Sequence, residues 1–112
     1  DEGAVNRAWR SPLPQPLLLQ RPDTRPCDLW VHQLSMNGAL IEQRAKRKPP
    51  AHFRLMLPLD EQPPITLEGE LVRMTDDGLF AYQVQALDPD GDEHLRQFLY
   101  QQHRRYEQQL QR

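Results

Sequence analysis

Phe53-Arg54-Leu55-Met56-Leu57-Pro58-Leu59 and, a few residues on, Ile65-Thr66-Leu67-Glu68-Gly69-Glu70-Leu71-Val72 place an apolar or small residue at every second position. A strand sends successive side chains to opposite faces, so this period predicts two strands with one face buried. Phe80, Tyr82, Val84 and Ala86 repeat the pattern against Ala81, Gln83 and Gln85. Shorter candidates lie at 17–20, 29–34 and 39–42. Asp76-Asp77-Gly78 supplies a hairpin turn between two of the long strands, since glycine takes a positive φ at no steric cost. Six strands with no helical stretch among them predict a small, mainly β, antiparallel barrel or sandwich.

Ten of the eleven prolines cluster at 12–16, 22–26, 49–50 and 58–64. Proline is excluded from helix interiors and central strands, so these clusters are expected to punctuate the strands. After Asp88-Pro89-Asp90-Gly91-Asp92 the period changes. Leu95, Phe98, Leu99, Tyr106 and Leu110 follow helical spacing without Pro or Gly. Asp90 and Glu93 read as a capping box opening a C-terminal helix over 90–112, with Leu95, Phe98 and Leu99 packed on the barrel. The far end, 101–112, is mostly Gln and Arg and is expected to be solvated in preference to contacting a partner.

With 112 residues the chain supports one domain with one modest core. Its hydrophobic fraction of 38% leaves no stretch long enough to span a bilayer as a helix. A net charge of −2 lacks the basic excess of a general DNA binder. Cys27 is the lone cysteine, which precludes an internal disulfide and suits a reducing cytoplasm. No signal-peptide pattern is present, and a first residue of Asp1 rather than Met reads as a trimmed or excised piece of a longer product.

Catalytic patterns are missing. No Gly-x-Ser-x-Gly elbow surrounds a serine, the thiol has no evident base, and no carboxylate pair stands out. Asp88, Asp90 and Asp92 alternate like a calcium loop, but Glu93 and Leu99 occupy the places that need Gly and a bidentate Glu. His32, His52, His94 and His103 lack ligand spacing and read as surface or edge residues. A binding module rather than an enzyme is expected, without metal or cofactor.

Three basic or polar stretches remain. Arg44, Lys46, Arg47 and Lys48 are read as a solvated hairpin tip in preference to a phosphate or membrane-surface contact. Asn6-Arg7-Ala8-Trp9-Arg10 sets two guanidinium groups beside an indole ahead of the first strand, as a flexible arm whose Trp9 plugs the barrel or as a ligand contact. Gln33-Leu34-Ser35-Met36-Asn37-Gly38 is either a plain turn with Gly38 at positive φ or an anion or base site. In the second case Ser35 donates from its hydroxyl and Gly38 lets the backbone approach closely.

Together these features resemble the PilZ domain, whose members commonly bind cyclic di-GMP through an Arg-x-x-x-Arg arm and an Asp/Asn-x-Ser-x-x-Gly motif on a six-stranded barrel. Arg10 stands at the arm's second arginine, Ser35 and Gly38 match the second motif, and Ala39-Leu40-Ile41 continues it. Residues 66–74 and 79–87 look like the strands before the family's C-terminal helix. The resemblance implies a six-stranded antiparallel PilZ-like β barrel with a C-terminal α-helix: an arm over 1–14, a barrel over 15–87 and a helix over 90–112. It implies ligand contacts from Arg7, Arg10, Gln33, Ser35 and Gly38. It also implies a partner protein or larger parent chain that receives the signal, and a role in motility or biofilm regulation. A homodimer through the C-terminal helix is a further option.

Two positions depart from the pattern. Asn6 stands four residues before Arg10, leaving Arg7 as the nearest substitute, and Gln33 replaces Asp or Asn. A guanidinium fork grips guanine O6 and N7 together or clamps a phosphate, and it stacks on a purine face. Losing one such fork costs about 1–3 kcal/mol, or roughly one to two decades of affinity. Arg21-Pro22-Asp23-Thr24-Arg25 has the arm's literal spacing but leaves no room for a strand before Ser35, and reads as a turn. The alternative function is a degenerate PilZ-like domain that binds no nucleotide and acts as a protein–protein adaptor. An oligonucleotide-binding barrel is weaker still, because strand-borne aromatics for base stacking are few.

Overall fold

A computed structural model describes residues 11–23, 27–59 and 62–110. Six strands, β1 (Ser11–Leu18), β2 (Leu29–Leu34), β3 (Gly38–Gln43), β4 (His52–Leu57), β5 (Ile65–Met74) and β6 (Phe80–Ala86), precede one helix, α1 (Gly91–Leu110). All neighbours are antiparallel, in the order β1-β2-β3-β6-β5-β4. The sheet curls into a half-barrel. Beyond β1, Gln20 bridges Met56 of β4 through two backbone hydrogen bonds of 2.9 and 2.8 Å, so the two ends of the sheet meet at that point.

The inward face follows the period-two pattern of the sequence. Val31, Ile41, Phe53, Leu55, Leu57, Ile65, Leu67, Tyr82 and Val84 form the core with Leu95 and Phe98 of α1. The helix lies chiefly against β1, with lesser contact to β5 and β6. The expected packing of Leu95, Phe98 and Leu99 is therefore realised. Beyond Gln102 the described side chains His103, Arg104, Arg105, Glu107 and Gln108 are exposed. No helix among the described residues is long and apolar enough to cross a membrane.

Four details differ from the sequence reading. Strand β1 begins at Ser11, so it takes in residues assigned to the arm and includes Pro12, Pro14 and Pro16. It tolerates them because it is an edge strand with a register irregularity between Pro12 and Leu17, where missing N–H groups cost little. The basic residues 44–48 are not a hairpin tip. Strand β3 pairs with β2 and β6, so this segment belongs to the connection that carries the chain to β4 at the far edge. The capping box does not form: Glu93 pairs forward with Arg96 and Gln97, and the Asp88 carboxylate accepts the Thr66 N–H at 2.6 Å. Finally, Gly78, at φ 83°, is the one positive-φ glycine among those described, so the turn at 76–78 is confirmed while Gly38 is ordinary strand.

Candidate functional site

Strands β2 and β3 form a hairpin whose tip, Ser35-Met36-Asn37, carries the second polar motif. The tip is tight. The Ser35 N–H donates to the Gly38 carbonyl at 2.8 Å, and the Val84 N–H donates to the Asn37 carbonyl at 3.0 Å, fastening the turn to β6. Ser35 is only 3% exposed. Its hydroxyl lies 3.2 Å from both Asn37 Oδ1 and the Gly38 carbonyl and is 3.4 Å from the Asn37 N–H. Its single hydrogen is thus used inside the turn, and the residue shapes the tip. Met36 packs on the core, while Asn37 is exposed.

Gln33 owes its position to a bulge. Val31 pairs with Ile41 and Gln33 with Leu40, which leaves His32 as an extra residue on β2. Strict alternation from Leu29 and Val31 would bury Gln33; the extra residue turns it to the outer face instead. On the same face Trp30 lies opposite Glu42. The Arg44 guanidinium sits 4.0 Å from the Trp30 ring centroid, and Glu42 accepts from His32 at 2.8 Å and from Arg44 at 3.3 Å. The His32 hydrogen bond is the largest influence on Glu42 and, with Arg44 adding to it, holds the carboxyl below its ordinary range against the opposing effect of burial.

The hairpin therefore brings Gln33, Ser35 and Gly38 to one end of the barrel. Arg7 and Arg10, with Trp9, lie outside the described residues. The chain enters the sheet beside that end: Ser11 pairs with Leu34 and Pro12 with Gln33. The sequence reading gave the Asn37 amide no role of its own and did not bring Arg44 together with Trp30. Asn37 carries an exposed amide in the very turn where Gln33 stands for the family's acidic or amide residue. Trp30, Glu42 and Arg44 sit at the polar positions of their strands or just past them, and a period-two pattern reveals nothing of cross-strand partners.

A small half-barrel of six antiparallel strands, a β2–β3 turn built on Ser and Gly, and a helix laid over β1 define a class of compact binding domains. A family model described as PilZ domain matches residues 5–101, and the chain belongs to that family of binding and regulatory modules. No curated protein and no solved structure matches the chain.

Proposed function

We propose that this PilZ domain senses cyclic di-GMP at the β2–β3 tip and relays its presence to a partner protein in the cytoplasm. One observation carries the reading. Ser11 is the register partner of Leu34, and Arg10 is bonded to Ser11 on one side as Ser35 is bonded to Leu34 on the other. Consecutive Cα atoms are about 3.8 Å apart, which supports a contact between the arm's arginine and the turn. Arg10 and Arg7 grip guanine and phosphate. Gln33 offers its carbonyl to guanine N–H groups, and Ser35 and Gly38 hold the floor in shape. Asn37 adds an exposed amide acceptor that offsets the longer, uncharged Gln33. Binding orders the arm and alters the surface offered to a partner or to a second copy of the chain, for which the outer half of α1 is available.

Calorimetric titration with cyclic di-GMP tests this directly. Binding in the micromolar range is expected, with Arg10→Ala weakening it by about tenfold or more and Asn6→Arg tightening it. Absence of heat at high protein concentration favours the adaptor reading, for which the internally committed Ser35 hydroxyl is the supporting observation. An Arg10→Ala protein that binds as tightly as the parent would show that the arm is misaligned.

A further inference from the structure

Strand β4 is an edge of the sheet, and among the described residues only part of that edge is covered. Both backbone groups of Met56 turn towards Gln20. Residues two apart in a strand direct their N–H and C=O groups the same way. Arg54 and His52 therefore turn theirs away from β5, along the stretch of edge that Gln20 does not reach. The opposite parity agrees, since the Ala51 carbonyl accepts from Leu71 of β5. Outside the strand ladders, neither His52 nor Arg54 forms a backbone hydrogen bond among the described residues, and the alternation with Ala51 and Met56 turns both away from β5. An uncovered strand edge of this kind is a template for a further strand.

A cavity of about 400 Å³ lies against this edge. Leu29, Phe53 and Leu55 give it apolar wall, and cations stand around it. Arg47 is paired with Asp28 at 2.5 Å, and Arg54 and His52 share Glu68 at 2.9 and 3.2 Å. Arg21 and Lys48 also line the cavity, come from two different connections, and form no ion pair among the described residues. The site thus offers a backbone donor and acceptor, an apolar wall and two uncompensated positive charges.

We infer that this edge is a docking groove for an extended, acidic peptide segment of a partner protein, which adds to β4 as a short strand. Backbone pairing to Arg54 and His52 sets its direction and register. An inward side chain rests on Phe53 and Leu55, and carboxylates meet Arg21 and Lys48. Gln20 already occupies Met56, so the added strand is short and the charges supply much of its selectivity. The groove is separate from the β2–β3 tip. It adjoins Leu29, paired with Gln43, whereas the tip follows Leu34, paired with Ala39. Five residues of strand at about 3.3 Å each separate the two ends by roughly 17 Å. The inference therefore stands or falls independently of cyclic di-GMP binding.

The test is selection of short random peptides displayed on phage against the full chain, followed by titration of the enriched peptides into the ¹⁵N-labelled protein. Enrichment of alternating sequences rich in Asp and Glu is expected, with the largest amide shifts at Arg54 and His52. Methylating the peptide's strand-pairing amides should abolish binding. The double variant R21E/K48E, changed at two exposed positions and checked for an unaltered fold by its remaining amide spectrum, should bind about tenfold or more weakly. Failure to enrich acidic sequences, shifts confined to other surfaces, or equal binding by R21E/K48E or by the methylated peptides would each overturn the inference.

Discussion

The Phe53 ring occupies the space that a side chain at Gly69, its cross-strand partner, would need. A Cβ built at Gly69 would overlap Phe53 Cε2 and Cζ. The same ring meets Tyr82 at 5.0 Å between centroids and 59° between planes, so it cannot simply swing aside. Gly69→Ala should therefore destabilise the domain by about 1–3 kcal/mol, the usual cost of overpacking a core. Urea denaturation measures it. Combining the change with Phe53→Leu should recover part of the loss, and a purely additive double variant would show that the ring is not the cause.

Tyr82 packs against that ring. Its hydroxyl donates to the Pro50 carbonyl at 2.6 Å, tying β6 to the connection that leads into β4. Removing it in Tyr82→Phe should cost about 0.5–1.5 kcal/mol. Burial pushes the phenol up to about 12 from an ordinary 10.0. The folded state then holds its proton more tightly than the unfolded chain. The stabilising contribution is full below pH 10 and is lost as pH rises from there towards 12. Denaturation midpoints measured across that window should fall more steeply for the parent than for Tyr82→Phe.

Where the sequence was legible, periodicity made it so. Phe53 to Leu57 and Ile65 to Gly69 bury alternate residues, and the 29–34 candidate coincides with β2. The misses have a common cause, because each depends on a neighbour distant in sequence. Pro12, Pro14 and Pro16 are admissible in a strand only because β1 turns out to be an edge. The bulge at His32 needs β3 alongside to be defined at all. In the sequence Asp88 marks only the change of period, yet its carboxylate serves Thr66 on another strand. At the candidate site the residue types at Ser35 and Gly38 were recognisable, while the Asn37 amide and the Trp30–Arg44 stack became visible only with the hairpin folded.

The helix has a buried and an exposed face, and side chains on the two should respond differently to truncation. Phe98 is 2% exposed and belongs to the core, whereas Tyr100, two residues on, is 63% exposed. Phe98→Ala should cost about 3–5 kcal/mol. Tyr100→Ala should stay within about 0.5 kcal/mol, even though Arg104 stands 5.9 Å from its ring. Thermal melts of the two variants separate these outcomes, and a comparable loss from both would mean that α1 docks through a different face.

The bulge residue His32 controls the charge of its neighbour Glu42. Its hydrogen bond is the largest influence holding the Glu42 carboxyl below the ordinary 4.5, with Arg44 adding to it. A depressed carboxylate contributes stability that is present above its unfolded value and is lost as pH falls through the lower folded one. His32→Ala should move the Glu42 titration, followed by carboxyl NMR, back towards 4.5. It should also flatten the acid limb of the stability profile. Both side chains are about one-third exposed, so the loss near neutral pH should not exceed about 1 kcal/mol. An unchanged Glu42 titration in His32→Ala would assign the depression to Arg44 instead, and Arg44→Ala, which also frees the Trp30 face, would then produce the shift.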